Sequence, residues 1–511
     1  MASTAARTID PRLPVLVGTG QLTQRVDRGE PSLEPTEMMA EALRRAAHDA
    51  GSAAAGGAGS AVLAAADSVR VVSVLSWRYR NPGALVAGLV GASPRHSVVS
   101  TAGGNSPQML VNQAARDIAS GAADVVLIAG AEAWRTRTMV RAQGAKPAWT
   151  REGDDTEPAE VVGSDAPLSH PAELARGLVM PVQIYPLFEN AIRAANRRPL
   201  AEHQRRLADL WSGFSEVAAE NPYAWIRRAY SPEEVSAVGS QNRLIGFPYP
   251  KLMNSNNNVE QAAALVLCSV EGARALGIPA DRWIFPHAGT DARDTPFVSH
   301  RQDLHSSPAI RVAAGDALRL AGVDADDLAH VDLYSCFPSA VEVAAAELGL
   351  SLERPLTVTG GLSFAGGPWN NYVTHAIATM AGLLRGEERA AVGLCTANGG
   401  YLTKHAFGVY GNRPPASGRF AYANPQAQVD AATRTRALCE EWDGPATVES
   451  FTVMYGRDGD PETGIVAVLL ADGRRAWGTT TETDAMKAMV TDDDVVGRAG
   501  HLRAGGQFCF A

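Results

Sequence analysis

The feature that most constrains this chain is a pattern that occurs twice. From Asn105 to Gly130 the sequence runs through a polar turn, an Ala-rich stretch, Gly121, acidic residues and an apolar run ending in glycine. From Asn370 to Asn398 the same order returns, with Gly386 in the place of Gly121 and 390–394 as the apolar run. A shared order over about 25 residues fits two copies of one α/β unit, and it also fits two generic helix–strand units. Short β-branched runs and helical stretches alternate around both copies. Residues 15–17 precede Gly18 and Gly20, a helix is expected over 35–50, 69–75 reads as a strand, and a helix over 107–119 leads into 125–129. Continuous apolar strands separated by helices mark an α/β layered fold in which parallel pairing predominates.

Three segments depart from that rhythm. The Gly/Ala-rich residues 51–60 read as a loose connection between helices. Residues 134 to about 250 are rich in Arg, Trp, Tyr and Pro, with helical spacing over 189–198 and 201–221. They read as a helical insertion on the α/β core, a common location for substrate-binding elements. Strand-like 262–268 resumes the core. From about Arg419, the runs 448–454, 464–470 and 475–481 are separated by Asp458-Gly459 and Asp472-Gly473. That predicts a small, mostly β module with a short helix near 431–441, folded as its own barrel.

Composition narrows the function classes. A length of 511 residues implies several domains. With 46 basic and 55 acidic residues the net charge is -9, which excludes a general polyanion binder, so nucleic acid is not expected as a partner. Five cysteines with no CxxC form neither a disulfide framework nor a familiar zinc site. No metal is expected, and a reducing, cytoplasmic location is. Residues 1–12 lack the apolar core of a secretory signal, and the most apolar stretches, 125–129 and 262–267, are far shorter than the ~20 residues of a membrane span.

Five motifs in order then carry a resemblance. These are Ser100-Thr101-Ala102-Gly103-Gly104-Asn105-Ser106; the segment 254–267; Asp332-Leu333-Tyr334-Ser335-Cys336-Phe337; Thr359-Gly360-Gly361-Leu362 with Gly366-Gly367-Pro368; and Gly393-Leu394-Cys395 followed by Gly399-Gly400. Over about residues 12–412 the chain resembles the thiolase superfamily, nearest the type 1 thiolase-like proteins of the sterol-carrier kind, and 419–511 resembles their additional C-terminal domain. The resemblance implies two related α/β halves in five layers (α-β-α-β-α), with a helical loop domain and a small OB-like C-terminal β-barrel. The expected domains are 12–133 with 251–285, 134–250, 286–412 and 419–511. It further implies a CoA thioester as substrate, no covalently bound cofactor, and a monomer or homodimer.

The same resemblance assigns roles and exposes departures. In the family a cysteine at a helix N-terminus becomes the acyl-enzyme; here its place falls on Gly104, with the hydroxyl of Ser106 nearby. The family's Gly-His-Pro histidine, which activates that nucleophile, is replaced by Gly367. Cys395 stands at the second catalytic cysteine, the acid/base for the α-proton. Its loop is longer than the usual Cys-x-Gly. Tyr334 takes the place of a His or Asn in the oxyanion hole, and thiolase-like aldolases carry a catalytic tyrosine in a related motif; their second tyrosine corresponds here to Ala365. Tyr334 and Cys395 are therefore the catalytic candidates. The substrate-binding candidates are Gly104, Ser106, Asn256, Asn258, Ser335, Gly367, Asn371, Tyr372 and His375. Arg135, Arg137, Arg141, Arg227, Arg228 and Arg243, with Trp225 and Phe247 nearby, are candidates for CoA phosphates and its apolar arm.

Three functions are compatible with this. One is aldol or retro-aldol chemistry beside a CoA thioester through Tyr334 and Cys395. The second is an acetyl-CoA acetyltransferase-type reaction with Cys395 as nucleophile. The third is acyl-CoA or lipid binding without catalysis.

Overall fold

The computed structural model describes residues 9–26, 30–51 and 59–511. Most of the connection expected at 51–60, and residues 1–8 of the N-terminus, lie outside the described residues.

The first sheet contains β1 (Pro14–Thr23), β2 (Ser68–Val71), β3 (His96–Ser100), β4 (Val125–Ala133) and β5 (Glu160–Val162). The short strands β6 (Leu244–Gly246) and β7 (Tyr249–Pro250) lie elsewhere, and β8 (Glu260–Ser269) completes it in the order β1-β8-β4-β2-β3-β5. The second sheet takes β9 (Phe285–Arg293), β10 (His330–Asp332), β11 (Val392–Gly399), β12 (Lys404–Gly411) and β13 (Ala421–Ala423) in the order β10-β11-β12-β9-β13.

Pairing is mixed rather than mostly parallel. β8 returns from the insertion antiparallel between β1 and β4, and β12 is antiparallel to both β11 and β9. Of these strands, only β11 and β12 are joined by a short turn, whereas β8 reaches its place after the whole helical insertion.

Five layers follow. The Ser106–Ser120 and Tyr372–Gly386 helices lie between the two sheets, with the Pro35–Asp49 helix outside the first and the Pro308–Ala321 helix outside the second. The two central helices are the repeated units of the sequence. Asn112 donates to the Thr290 carbonyl of β9, and Gln108 accepts from Tyr410 of β12, so the first central helix is fastened to the opposite sheet. On the outer side, a Cβ at Gly18 or Gly20 would lie 2.1 or 2.0 Å from the carbonyl oxygens of Ala46 or Ala42. Only glycine lets the Pro35–Asp49 helix approach β1 so closely. The protein thus has a thiolase-type α/β fold.

The C-terminal sheet runs β16 (Arg475–Thr480), β15 (Pro461–Leu469), β14 (Gly444–Tyr455), β17 (Ala499–Leu502), β18 (Phe508–Phe510). Thr479 N donates to Gly506 O at 2.8 Å, curling one edge toward the other. The sheet does not stand alone, however, because β14 continues through Met454 onto Gly246 of the β6–β7 hairpin, which belongs to the expected insertion. The helix expected at 431–441 lies instead at Gln426–Ala432. Beyond it, Thr435 bridges Arg301 and Leu438 bridges Arg475, so pairing with two other elements overrides local helix preference. Among the described residues, no helix is long and apolar enough to cross a membrane.

Candidate active site

Three chain turns meet at the N-terminus of the Ser106–Ser120 helix: residues 100–105, the turn after β10 and the end of β11. A Cβ at Gly104 would lie 2.3 Å from Tyr334 Oη and 2.5 Å from Asn398 O. The position that the resemblance gives to a nucleophile is therefore filled by a phenol from the other half. Tyr334 is held by a bond from its own N–H to Thr396 Oγ1 (2.8 Å) and by edge-on contact with Tyr372, ring centroids 5.6 Å apart.

Neighbouring polar groups hold the corner together. Asn370 accepts from Gly103 N (2.9 Å) and donates to Ser73 O (2.8 Å). Lys404 Nζ donates to Ala102 O (2.6 Å) and Ser164 O (3.1 Å). Asn398 donates to Tyr185 Oη (2.9 Å), and that hydroxyl donates to Gly400 O (3.2 Å). A small void of about 10 Å³ lies beside Tyr334, lined also by Thr396, Asn398 and His405, which is room for one water.

Charge is scarce here. Burial, with Cys336 adding to it, pushes the Tyr334 phenol above its ordinary value. Burial likewise lifts the Cys336 thiol to about 12 and lowers the Lys404 ammonium. Tyr334 is thus a neutral hydrogen-bond donor at pH 7, suited to an oxygen that gains negative charge and unsuited to act as a phenolate base.

The Gly-His-Pro position is closed in a comparable way. A Cβ at Gly367 would meet Ser255 Oγ at 2.4 Å. Gly367 N donates to Asn256 O (2.9 Å), and Asn257 donates back to Gly367 O (2.7 Å). Asn256 therefore clamps this turn through its backbone, while Asn258 is exposed.

Other candidates are buried in the core or tied up in hydrogen bonds to protein groups. Cys395 lies mid-strand in β11 opposite Asp332 of β10, fully buried, and burial pushes its thiol well above the ordinary range. β11 runs on to Gly399, which carries Cys395 into the core and away from Gly104. The strand ends at Asn398-Gly399-Gly400, which fits the Cys-x-Gly spacing with asparagine first. Ser106 Oγ donates to Thr101 O (2.8 Å). Asn371 donates to Gly130 O, and Tyr372 donates to Asp332 Oδ1 at 3.0 Å. His375 binds Gln21 at 2.8 Å in a separate void, and burial lowers its pKa to about 3. Ser335 is buried against Gly361, where a Cβ would lie 2.8 Å from its Oγ.

Four of the six arginines proposed for CoA phosphates hold protein groups. Arg135 reaches Glu260 (3.9 Å), Arg137 covers the Trp134 ring, Arg228 pairs with Glu234, and Arg243 donates to Leu244 O. Sequence reasoning missed Asn398, Tyr185 and Ser255. The Gly399-Gly400 pair was the available signal for Asn398; Tyr185 and Ser255 gave none.

Comparison with known proteins places this geometry. Residues 425–507 match the family "Thiolase-like protein type 1 additional C-terminal domain". The crystal structure of a monomeric SCP2-thiolase like protein type 1 from Mycobacterium smegmatis is 33% identical, with a TM-score of 0.82, covering 99% of this chain and 100% of its own. The chain belongs to the type 1 SCP2-thiolase-like proteins. The Ltp2-ChsH2(DUF35) aldolase shares the fold at 19% identity and a TM-score of 0.57, over 78% of this chain and 98% of its own. Benzoylsuccinyl-CoA thiolase subunit BbsB of Thauera aromatica is 27% identical over 252 residues, 49% of this chain and 56% of that subunit. This type 1 thiolase-like protein therefore spans just over half the length of that relative. By the motif order of the resemblance, Gly104 and Gly367 stand where the family carries its nucleophile and its imidazole.

Proposed function

We propose that this protein acts on a CoA thioester without an acyl-enzyme, making or breaking the carbon–carbon bond beside the thioester by aldol or retro-aldol chemistry. The observation that carries the reading is the contact of Tyr334 Oη with the Gly104 position, which removes the nucleophile and sets a neutral donor in its place. In the cleavage direction the bond between the α- and β-carbons breaks. The β-hydroxyl becomes a carbonyl, its proton ends on the α-carbon, and the electron pair passes through the thioester enolate. Tyr334 stabilises the enolate oxygen by donating a hydrogen bond. An acyltransferase route through Cys395 loses its support, because that thiol is enclosed and neutral.

Glycine at both Gly104 and Gly367, each with no room for a side chain, favours a second reading, in which an acyl-CoA is bound and not transformed. Turnover of β-hydroxyacyl-CoAs by wild type and Tyr334→Phe, beside their CoA-thioester affinities, separates the two. Catalysis predicts a loss of turnover on the order of 10²-fold with affinity little changed. Equal losses of both, or no turnover by wild type with tight binding, would replace catalysis by binding. Intact-protein mass after incubation with acyl-CoA is expected to show no covalent adduct.

A further inference from the structure

Away from the Gly104 corner, three ligand-capable side chains from three helices meet in the interior. Glu189 comes from the Pro181–Ala195 helix, His203 from the Leu200–Glu220 helix and Glu342 from the Pro338–Leu348 helix. One ligand atom from each lies within 4.8 Å of the others. Glu189 and His203 are fully buried and Glu342 is 6% exposed. Two carboxyl groups facing each other in so dry a space repel when both ionise, so they need a shared proton or a positive partner.

The protein supplies part of it. Arg198 reaches Glu342 Oε1 at 3.3 Å, His203 Nε2 lies 2.7 Å from Glu189 Oε1, and Tyr249 donates to Glu189 Oε2 at 2.5 Å. Glu342 Oε2 is buried and has no hydrogen-bond partner among the described residues. A groove of about 350 Å³ leads to Glu342 from outside, lined by Asp209, Glu216 and Glu353 as well as Glu342, against Arg206 and Arg354. Its acidic excess favours a cation on the way in.

We propose that Glu189, His203 and Glu342 bind one divalent cation of the zinc class. Two carboxylate oxygens and an imidazole nitrogen are ligands such an ion accepts, with a fourth position left for water. The ion ties the three helices together. The Pro338–Leu348 helix begins directly after Phe337, whose ring stacks on Tyr185 at 4.6 Å. Ser339 N also donates to Tyr249 Oη at 3.1 Å. The proposal is independent of the chemistry at Tyr334.

The test uses the full chain, stripped with a chelator, dialysed with zinc chloride and freed of excess metal. Elemental analysis is expected to find about one zinc per chain, and thermal unfolding to shift upward with zinc. Both effects should be lost in Glu342→Gln and His203→Gln. Less than about a tenth of an equivalent in wild type would overturn the site and leave a proton shared between the carboxyl groups. Undiminished zinc in both folded variants would also overturn it, by placing the metal elsewhere. If the variants do not fold, anomalous scattering at the zinc edge from wild-type crystals decides. A peak about 2.2 Å from the three side chains supports the site, and a peak elsewhere or none refutes it.

Discussion

The corner at Gly104 and the joint at Arg475 are both tight polar contacts between distant parts of the chain, yet they are built from opposite materials. At the corner a glycine leaves room for a phenol that is neutral at pH 7, and hydrogen bonds to backbone carbonyls hold the turns. At the joint a fully buried guanidinium does the holding. Arg475 forms two 2.6 Å bonds to Glu449 and donates to the carbonyls of Val298, Ser299 and Arg301, fastening the C-terminal sheet to the second α/β half. Trp477 adds a bond to Ser299 Oγ at 2.8 Å. The difference teaches that at the joint a buried charge fixes the architecture, whereas at the corner the side chain facing the glycine is a neutral phenol. It also makes the C-terminal sheet a fixed part of the protein.

Breaking the joint should therefore have the largest effect on stability. Arg475→Ala leaves Glu449 without its main partner and three carbonyls without a donor. A loss of about 3–5 kcal/mol is expected from such a buried pair. Urea unfolding followed separately by tryptophan fluorescence, with the Trp477 part taken as the difference from Trp477→Phe, and by far-ultraviolet circular dichroism checks it. If the two transitions stay coincident and move by less than 1 kcal/mol, the joint does not fasten the sheet.

The corner should fail through volume instead. Gly104→Ala places a methyl group against Tyr334 Oη and Asn398 O, at a cost of about 1–3 kcal/mol. Tyr334→Ala should relieve only part of this, because the Asn398 carbonyl remains. The double-mutant cycle is expected to show a favourable coupling of about 1 kcal/mol. Strict additivity would mean that the two residues do not share the space. Gly104→Cys should accordingly fail to restore acyl-enzyme formation.

Much of this architecture was legible because it rests on local patterns. Helical spacing and the twice-used helix–strand order mark the central helices, and the motif order brings Gly104 and Tyr334 into view before any coordinates. What was hidden depends on contacts far apart in sequence. The apolar run 390–394 ends before β11 does, because Thr396 and Asn398 are polar yet buried under the Tyr334 turn and Tyr185, and this is why Cys395 looked like a loop residue. Arg475 reads as a solvated arginine in an edge strand until Glu449 and the carbonyls of 298–301 surround it. The chain at 434–439 carries no mark of the partners that pull it out of a helix. The Glu189–His203–Glu342 cluster joins three helices whose sequences show only ordinary amphipathic spacing.

A last effect distinguishes the two regions by pH. Under the corner, burial raises Asp332 to about 6, against bonds from Val358 N, Tyr372 and Thr357. The native state thus binds more proton than the unfolded chain between the ordinary value of 3.8 and about 6, and stability falls as pH rises through that window. Beside the joint, burial also works to raise Asp294, but Arg301, His405 and Ser307 outweigh it and hold it below the ordinary value. Its stabilisation is present above the unfolded value of 3.8 and is lost as pH falls through the lower folded one. Asp332→Asn should remove a falling slope of at most one proton, about 1.4 kcal/mol per pH unit. Asp294→Asn should remove an opposite slope at the acid end. Urea midpoints from pH 3 to 7 measure both. Slopes of the same sign would mean that the corner and the joint are held by the same kind of force after all.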